Sequence, residues 1–294
     1  MAVLLFNFLN TMRKKVIFNA DDFGLAKGIN EGILQAHQEG ILTSATLMVN
    51  MPGFNQAVEL ALKVPTLGIG VHLNVIRGHP VLPPEEIPSL VNSAGKFWGD
   101  LVLILKKLWR REIKVEEIIK EFRAQIKKAQ ATGLNITHVD SEKHLHCYYP
   151  ILRRLIPLLK ELGLPRVRYI NQICWAGPPA FLVGSIFIYL SWLMCRPLAR
   201  GQGFRLADNF FGLCSVGEMT AEKIKTILVQ LPPGITEIMV HPGFITPEMV
   251  EIEKESGPYR LRRGREVELA ALLDEELPEI IKNNKIELIN FGQV

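Results

Sequence analysis

Short runs rich in β-branched residues alternate along this chain with segments of helical periodicity, the pattern of βα units that form a parallel sheet with helices packed outside it. Seven runs read as strands: KVIFN (15–19), SATLMVN (44–50), GIGVHLNV (68–75), ITHVD (136–140), RVRYIN (166–171), TEIMVH (236–241) and IELINF (286–291). Between them, GINEGILQAHQEG sets Ile29, Ile33 and Ala36 at helical spacing and stops at Gly40. VEEIIKEFRAQIKKAQATG repeats this with Ile118, Phe122 and Ile126 before Gly133. The alternation predicts an α/β fold, an irregular (β/α) barrel of about seven parallel strands. With 294 residues, 48% of them apolar and 22% charged, the chain can fill the core of one large domain.

The rhythm breaks once, over about 172–218, where Gly, Pro and aromatic residues accumulate. This reads as an insertion, perched on a single domain over 15–294, with 1–14 an extension outside the core. Its apolar run at 180–194 is short of the roughly 20 residues that span a bilayer, and predicts a buried or membrane-touching helix. The opening MAVLLFNFLNTMRKK sets apolar residues before charges, the reverse of a secretory signal. The net charge of +4 is dispersed over helix-like segments such as KKLWRREIK, which argues against a nucleic-acid partner. Cys147, Cys174, Cys195 and Cys214 are widely spaced without a CxxC pair, and predict free thiols in a reducing, cytoplasmic setting. Nothing in the pattern speaks against a homo-oligomer.

Polar clusters end the strands, and in parallel α/β folds active sites assemble at the carboxyl ends of strands. Asp21 and Asp22 follow the first strand, where one carboxylate can bind an ion while its neighbour takes a proton from an attacking water. A single Asp there would read equally well as a helix cap. His72 lies in an otherwise apolar strand, a place where a lone histidine is more often part of the core. In HVDSEKHLH, His138, Asp140, Glu142, His144 and His146 fall at every second position and share one face for as long as the chain stays extended. A catalytic ion takes about three protein ligands, so at least two of the five have other duties. His241, before Pro242-Gly243, is held in direction by that turn and suits a proton donor. Arg265, in RLRRGRE, either orients a site carboxylate or starts a solvated helix. His37 and His79 read as bystanders.

NADDFGLAKGINEGI, ILTSATLMVN, LGIGVHLNV, GHPVLPP, THVDSEKHLH and MVHPGF together resemble the YdjC-like carbohydrate deacetylases, the group that contains chitooligosaccharide deacetylases. The resemblance implies a (β/α) barrel and metal-dependent hydrolysis of the N-acetyl group of an amino sugar, releasing acetate. It also implies Asp21 as general base, Asp22 and His72 as metal ligands, and His241 as proton donor. Where the family places a histidine as third ligand this chain has Glu142, an oxygen donor that favours Mg²⁺, with Mn²⁺ or Zn²⁺ the alternatives. His144 and His146 compete with it for that position, and Asp140 and Arg265 remain candidates for metal or substrate.

ADNFFGLCSVGEMT followed by LPPGITEIMVHPG is similar to the hopanoid-biosynthesis-associated branch, which acts on an N-acetylglucosaminyl polyol lipid. An apolar lid at 180–194 suits such a substrate, through peripheral contact with the inner face of the membrane. Two other classes stand against the deacetylase reading. One is a non-catalytic glycan- or metal-binding member of the same fold, which needs neither Asp21 nor His241. The other is a metal-dependent phosphoesterase, against which the absence of a phosphate-cradling glycine loop counts.

Overall fold

In the computed structural model, residues 13–175, 179–254 and 262–294 are described. In chain order the elements are β1 (Lys14–Phe23), α1 (Lys27–Gln38), β2 (Ser44–Leu47), α2 (Phe54–Lys63), β3 (Gly68–Leu73), α3 (Leu101–Trp109) and α4 (Val115–Gln130). There follow β4 (Ile136–Ser141), α5 (Tyr149–Glu161), α6 (Pro179–Gly201), β5 (Asn209–Phe211), α7 (Ala221–Val229), β6 (Gly234–Val240), α8 (Pro247–Lys254), α9 (Arg265–Leu272), α10 (Leu277–Asn283) and β7 (Ile286–Leu288). The strands form a parallel sheet of order β4-β3-β2-β1-β6-β5 that curls into a half-barrel inside the helices. The amphipathic periodicity explains how the helices dock: Ile29, Ile33 and Ala36 of α1, and Ile118, Phe122 and Ile126 of α4, are all fully buried.

β1 is the central strand. β6 pairs with it from Lys14 to Ala20 along one edge, while the other edge pairs with β7 at Lys14–Val16 and with β2 from Asn19 onward. Phe18 and Ala20 belong to the main core, while Ile17 packs with Ile289 and Phe291 in a smaller cluster.

Two strand assignments differ from the sequence pattern. The run 166–171 makes only isolated bridges, Val139 to Val167 and Arg166 to Arg205, because it is shared between two neighbours and pairs continuously with neither. Asn209–Phe211, three residues with no period of their own, becomes β5 through its ladder to β6. Of the extension expected at 1–14, residues 1–12 lie outside the described residues, and Lys14 opens β1.

The insertion also differs. Its helix, α6, runs through Arg196 and Pro197 to Gly201, 23 residues instead of the 15 expected, and is long and apolar enough to cross a membrane by length and composition. Only 22% of its most apolar stretch is buried. Ser185, Ser191, Trp192, Cys195 and Ala199 face inward, while Phe181, Val183, Leu193 and Met194 are exposed, the reverse of ordinary amphipathic packing. Cys174 and Cys214 form a disulfide across the insertion, with a Cα–Cα distance of 5.4 Å, so the expectation of four free thiols fails for this pair. The sequence spacing of 40 hid it, since Cys174 meets Cys214 only after the chain returns to the sheet. Cys147 and Cys195 are free and buried.

Candidate metal and catalytic centre

Adjacent residues of a regular strand point to opposite faces, yet Asp21 and Asp22 are both buried against the same cluster of charges. The register between β1 and β2 shifts between Ala20 and Phe23, and Asp22 takes a left-handed φ of 70°. This bulge turns the second carboxylate toward the first. Neither Asp caps α1, whose N-cap is Ala26; Asn30 instead reaches back to accept from Gly24 N at 2.7 Å and closes the turn.

His72 on β3 accepts its orientation from Asp140 on β4, whose Oδ1 lies 2.7 Å from Nδ1. Its Nε2 then faces Asp22 Oδ1 at 3.7 Å and Glu142 Oε2 at 3.5 Å. These three groups are buried and offer donor atoms all within 4.8 Å of one another, a two-carboxylate, one-imidazole set that suits a divalent ion. Burial opposes charge on His72, but the charge and hydrogen bond of Asp140 outweigh it and raise the imidazole pKa well above 6.5. Burial likewise opposes the two carboxylates, and Arg265 beside Asp22 and Arg77 beside Glu142 hold both pKa values below the usual range. Arg265 pairs with Asp22 Oδ2, and Arg77 Nη2 lies 2.6 Å from Glu142 Oε1.

A second cluster, Asp21, His72 and Asp140, has similar spacing but already contains a cation. Arg168, fully buried, reaches Asp21 Oδ1 at 2.6 Å and Asp140 Oδ2 at 2.8 Å, and its Nε reaches Glu237 Oε1 at 2.7 Å. The guanidinium fills the role an ion would have there, so Asp22, His72 and Glu142 are the better metal set. Burial lifts the Glu237 carboxyl to about 7 against the pull of Arg168, and the charges of Asp140 and Asp21 act in the same direction as burial. Asp21, gripped through both oxygens, goes the other way: burial raises its pKa, but Arg168 overcomes this and holds it far below the usual carboxylate value.

His241 follows β6, with Nε2 4.0 Å from Asp21 Oδ2 and 15% of its side chain exposed. Glu268 of α9 accepts from its backbone N–H at 2.5 Å. The next residues pass so close to α1 that a Cβ on Gly32 would sit 2.5 Å from Gly243 Cα, and one on Gly28 2.6 Å from Phe244 O. The two glycines, one helical turn apart, therefore seat the His-Pro-Gly turn over the cluster.

The five alternating residues of 138–146 separate. His138 stacks on Phe291 with ring centroids 3.8 Å apart and bonds to Asn19 Oδ1 and Thr137, a core histidine beneath the site. Asp140 orients His72, and Glu142 joins the donor set. The strand then breaks, since Lys143 and His144 adopt left-handed φ values of 50° and 55°. His144 swings against Phe210, and His146 packs inward on Ser141 Oγ at 2.7 Å, where burial lowers its pKa to about 3. Neither belongs to a metal-binding group among the described residues.

Arg77, Arg168 and Glu237 were missed on sequence. The signal was there: each is a charged residue in or just after an apolar β-branched run, IRGHP, RVRYIN and TEIMVH, where an unpaired charge would be too costly to bury. A cleft of about 480 Å³, lined by Asn50, Phe54, Arg77, His79 and Lys96 among others, shares Arg77 with the centre. His37 bonds Leu42 O and Thr66, a structural role.

The profile of the family described as YdjC-like protein matches residues 15–283. A carbohydrate deacetylase of Brevibacillus brevis is 35% identical over 282 residues, covering 95% of this chain and 99% of the relative. One from Thermoanaerobacter pseudethanolicus is 31% identical, covering 95% and 98%. A crystallised Enterococcus faecalis protein, named for cellobiose-phosphate cleavage, superposes with a TM-score of 0.74 at 30% identity, covering 96% of this chain and 98% of that one.

Proposed function

The chain belongs to the YdjC-like protein family, and from that premise we propose that it hydrolyses the N-acetyl group of an acetylated amino sugar, releasing acetate. Relatives named carbohydrate deacetylases that align over nearly their whole length support an enzyme acting on acetylated sugars. The observation that carries the reading is the juxtaposition of an oxygen-rich donor set (Asp22, His72, Glu142) with a carboxylate and an imidazole outside it, Asp21 and His241.

Asp22, His72 and Glu142 would hold a divalent ion, Mg²⁺ in preference to Mn²⁺ or Zn²⁺ given two carboxylates, which when bound supplies Lewis acidity at the acetyl carbonyl and acidifies the attacking water. Asp21, fixed and kept ionised by Arg168, accepts the proton of that water as its oxygen bonds to the carbonyl carbon. His241 delivers a proton to the amide nitrogen as the C–N bond breaks, giving the free amine and acetate. Arg168 makes Asp21 a weak base of fixed direction, which restricts its proton uptake to an acidified nucleophile.

For the substrate we favour an N-acetylglucosaminyl lipid of the hopanoid type over a soluble chitooligosaccharide. The exposed apolar face of α6 supports this, because that helix abuts the site: Trp192 Nε1 donates to Cys147 Sγ at 3.2 Å and Phe187 stacks on Tyr148, both beside the 142–147 turn. Such a face suits peripheral contact with a membrane, and we place the reaction at the cytoplasmic face of one. Alkylation and intact mass of protein taken from cells test this placement, since a reducing compartment predicts the Cys174–Cys214 pair as thiols.

One experiment tests activity, metal and substrate together. Acetate release is measured with N-acetylglucosaminyl lipid in vesicles and with N,N′-diacetylchitobiose, each under Mg²⁺, Mn²⁺, Zn²⁺ or chelator. We expect release that chelator abolishes, faster on the lipid. Leu193→Ser/Met194→Ser is expected to lose the lipid advantage and vesicle flotation while keeping chitobiose turnover. Undiminished release under exhaustive chelation removes the metal, and no release from either substrate removes the deacetylase reading.

A further inference from the structure

All three members of the donor set have an ionic partner on the atom turned away from the centre: Asp140 on His72 Nδ1, Arg265 on Asp22 Oδ2, and Arg77 on Glu142 Oε1. The first is the usual carboxylate behind a ligating imidazole. The third is specific to a chain with glutamate at this position. We propose that Arg77 is the residue that sets metal selectivity, by making Glu142 a one-oxygen ligand whose added charge is neutralised. This rests on the reading of Asp22, His72 and Glu142 as a metal site.

The geometry of Arg77 is that of a fixture. Its backbone N–H donates to Asn74 Oδ1 at 3.1 Å, and its carbonyl accepts from Asn74 Nδ2 at 2.9 Å and from Asn50 Nδ2 at 3.2 Å. Asn74 is in turn clamped by Gln125, which accepts from its N–H at 2.9 Å and donates to its carbonyl at 2.6 Å. One turn earlier on α4, Glu121 takes the N–H groups of Val81 and Leu82 at 2.8 and 3.0 Å. Glu117, Glu121 and Gln125, buried at a spacing of four, thus hold the backbone of the loop after β3. The loop carries Arg77 to a depth where it is 2% exposed, and aims it at a carboxylate that is 3% exposed.

With Oε1 held at 2.6 Å by a guanidinium, Glu142 has only Oε2 to give, the atom 3.5 Å from His72 Nε2. A carboxylate confined to one oxygen suits a small ion of octahedral preference that keeps its waters, and excludes the bidentate grip that larger ions such as Ca²⁺ exploit. The guanidinium, with Lys143 Nζ farther off at 3.7 Å from the same oxygen, also offsets the charge by which glutamate differs from a neutral imidazole. Arg77 and Glu142 therefore present the charge of a histidine with the hardness of an oxygen.

A double-mutant cycle read by metal binding, with no substrate present, tests this. Mg²⁺, Mn²⁺, Ca²⁺ and Zn²⁺ affinities are measured by calorimetry, and Mn²⁺ also by electron paramagnetic resonance, for the wild type, Arg77→Met, Glu142→His and the double variant. Arg77→Met is expected to improve Ca²⁺ relative to Mg²⁺ by at least about tenfold, as the nearer of the two cations leaves Oε1, the more exposed Lys143 stays at 3.7 Å, and Glu142 can turn both oxygens to the ion. Glu142→His alone is expected to lose affinity for every ion, because a buried guanidinium is left facing the ion. The double variant should recover binding and favour Zn²⁺. If the effects add and the Ca²⁺/Mg²⁺ ratio is unmoved, Arg77 is structural and the proposal fails while the metal site stands. A wild type that binds no divalent ion overturns the metal site itself. Should Arg77→Met not fold, Arg77→Lys, which keeps the charge without the planar fork, is expected to keep charge neutrality but relax the Ca²⁺/Mg²⁺ ratio in the same direction; an unmoved ratio there also overturns the proposal.

Discussion

Asp21→Asn is expected to lower kcat for acetate release by about 10²–10⁴-fold, the usual contribution of a general base, while leaving the divalent-ion isotherm unchanged. The two effects separate because Asp21 and Asp22 are neighbours in sequence with different partners. Asp22 turns one oxygen to His72 and the other to Arg265, whereas both oxygens of Asp21 are taken by Arg168. Asparagine fits the same space and keeps one acceptor for Arg168, but it cannot accept a proton from water. A variant that retains full turnover with metal bound would show that another group is the base. One that loses metal in parallel with turnover would place Asp21 in the donor set.

Replacing Arg168 by methionine should cost about 3–5 kcal/mol of folding stability, the range for removing one side of a buried ion pair. The figure belongs at the upper end, because Asp21, Asp140 and Glu237 all lose their common cation. The pH dependence identifies the cause. In the wild type the depressed Asp21 contributes stability that is present above its unfolded value of 3.8 and lost as pH falls through the folded pKa. In the variant, Glu237 and Asp140, whose pKa values burial already raises, lose the pull of Arg168 and rise further above their unfolded values, while His72 and His241 still oppose burial at Asp21. Stability is then best retained in acid and lost as pH rises through those folded values. Urea denaturation at pH 5 and pH 8 should therefore show the deficit growing with pH. A deficit independent of pH would mean that lost packing, not charge, is responsible.

How far the sequence reveals this molecule varies by element. β1, β3, β4 and β6 are legible because their residues are β-branched and apolar and their ends are polar. β5 is not, because Asn209–Phe211 has no pattern and becomes a strand only by pairing with β6. The opposite error occurs at 166–171, where a strand-like composition serves a segment that crosses between two partners. In α6 the apolar run stops at Met194, yet the helix continues through Arg196 and Pro197 to Gly201.

At the site, residue types at strand ends were visible, but directions were not. The bulge that turns Asp22 toward Asp21 rests on a single φ angle, and the break that sends His144 away rests on two. Period-two reasoning therefore held as far as Glu142 and failed at Lys143. Arg77 and Arg168 could be flagged as costly charges in apolar runs, but their partners lie 65 and 147 residues away in sequence, Glu142 and Asp21 respectively. Only the sheet brings them together.

The pairing of β1 has a consequence for how the protein opens. A strand bonded along both edges exchanges its amide hydrogens only when the sheet itself comes apart, so β1 belongs to the last part of the molecule to yield. Asp22 sits at the end of that strand, and β3 and β4 bring the other two donors to it. An ion bound there stabilises the folded state as a whole, by mass action, and its protection would extend across the sheet.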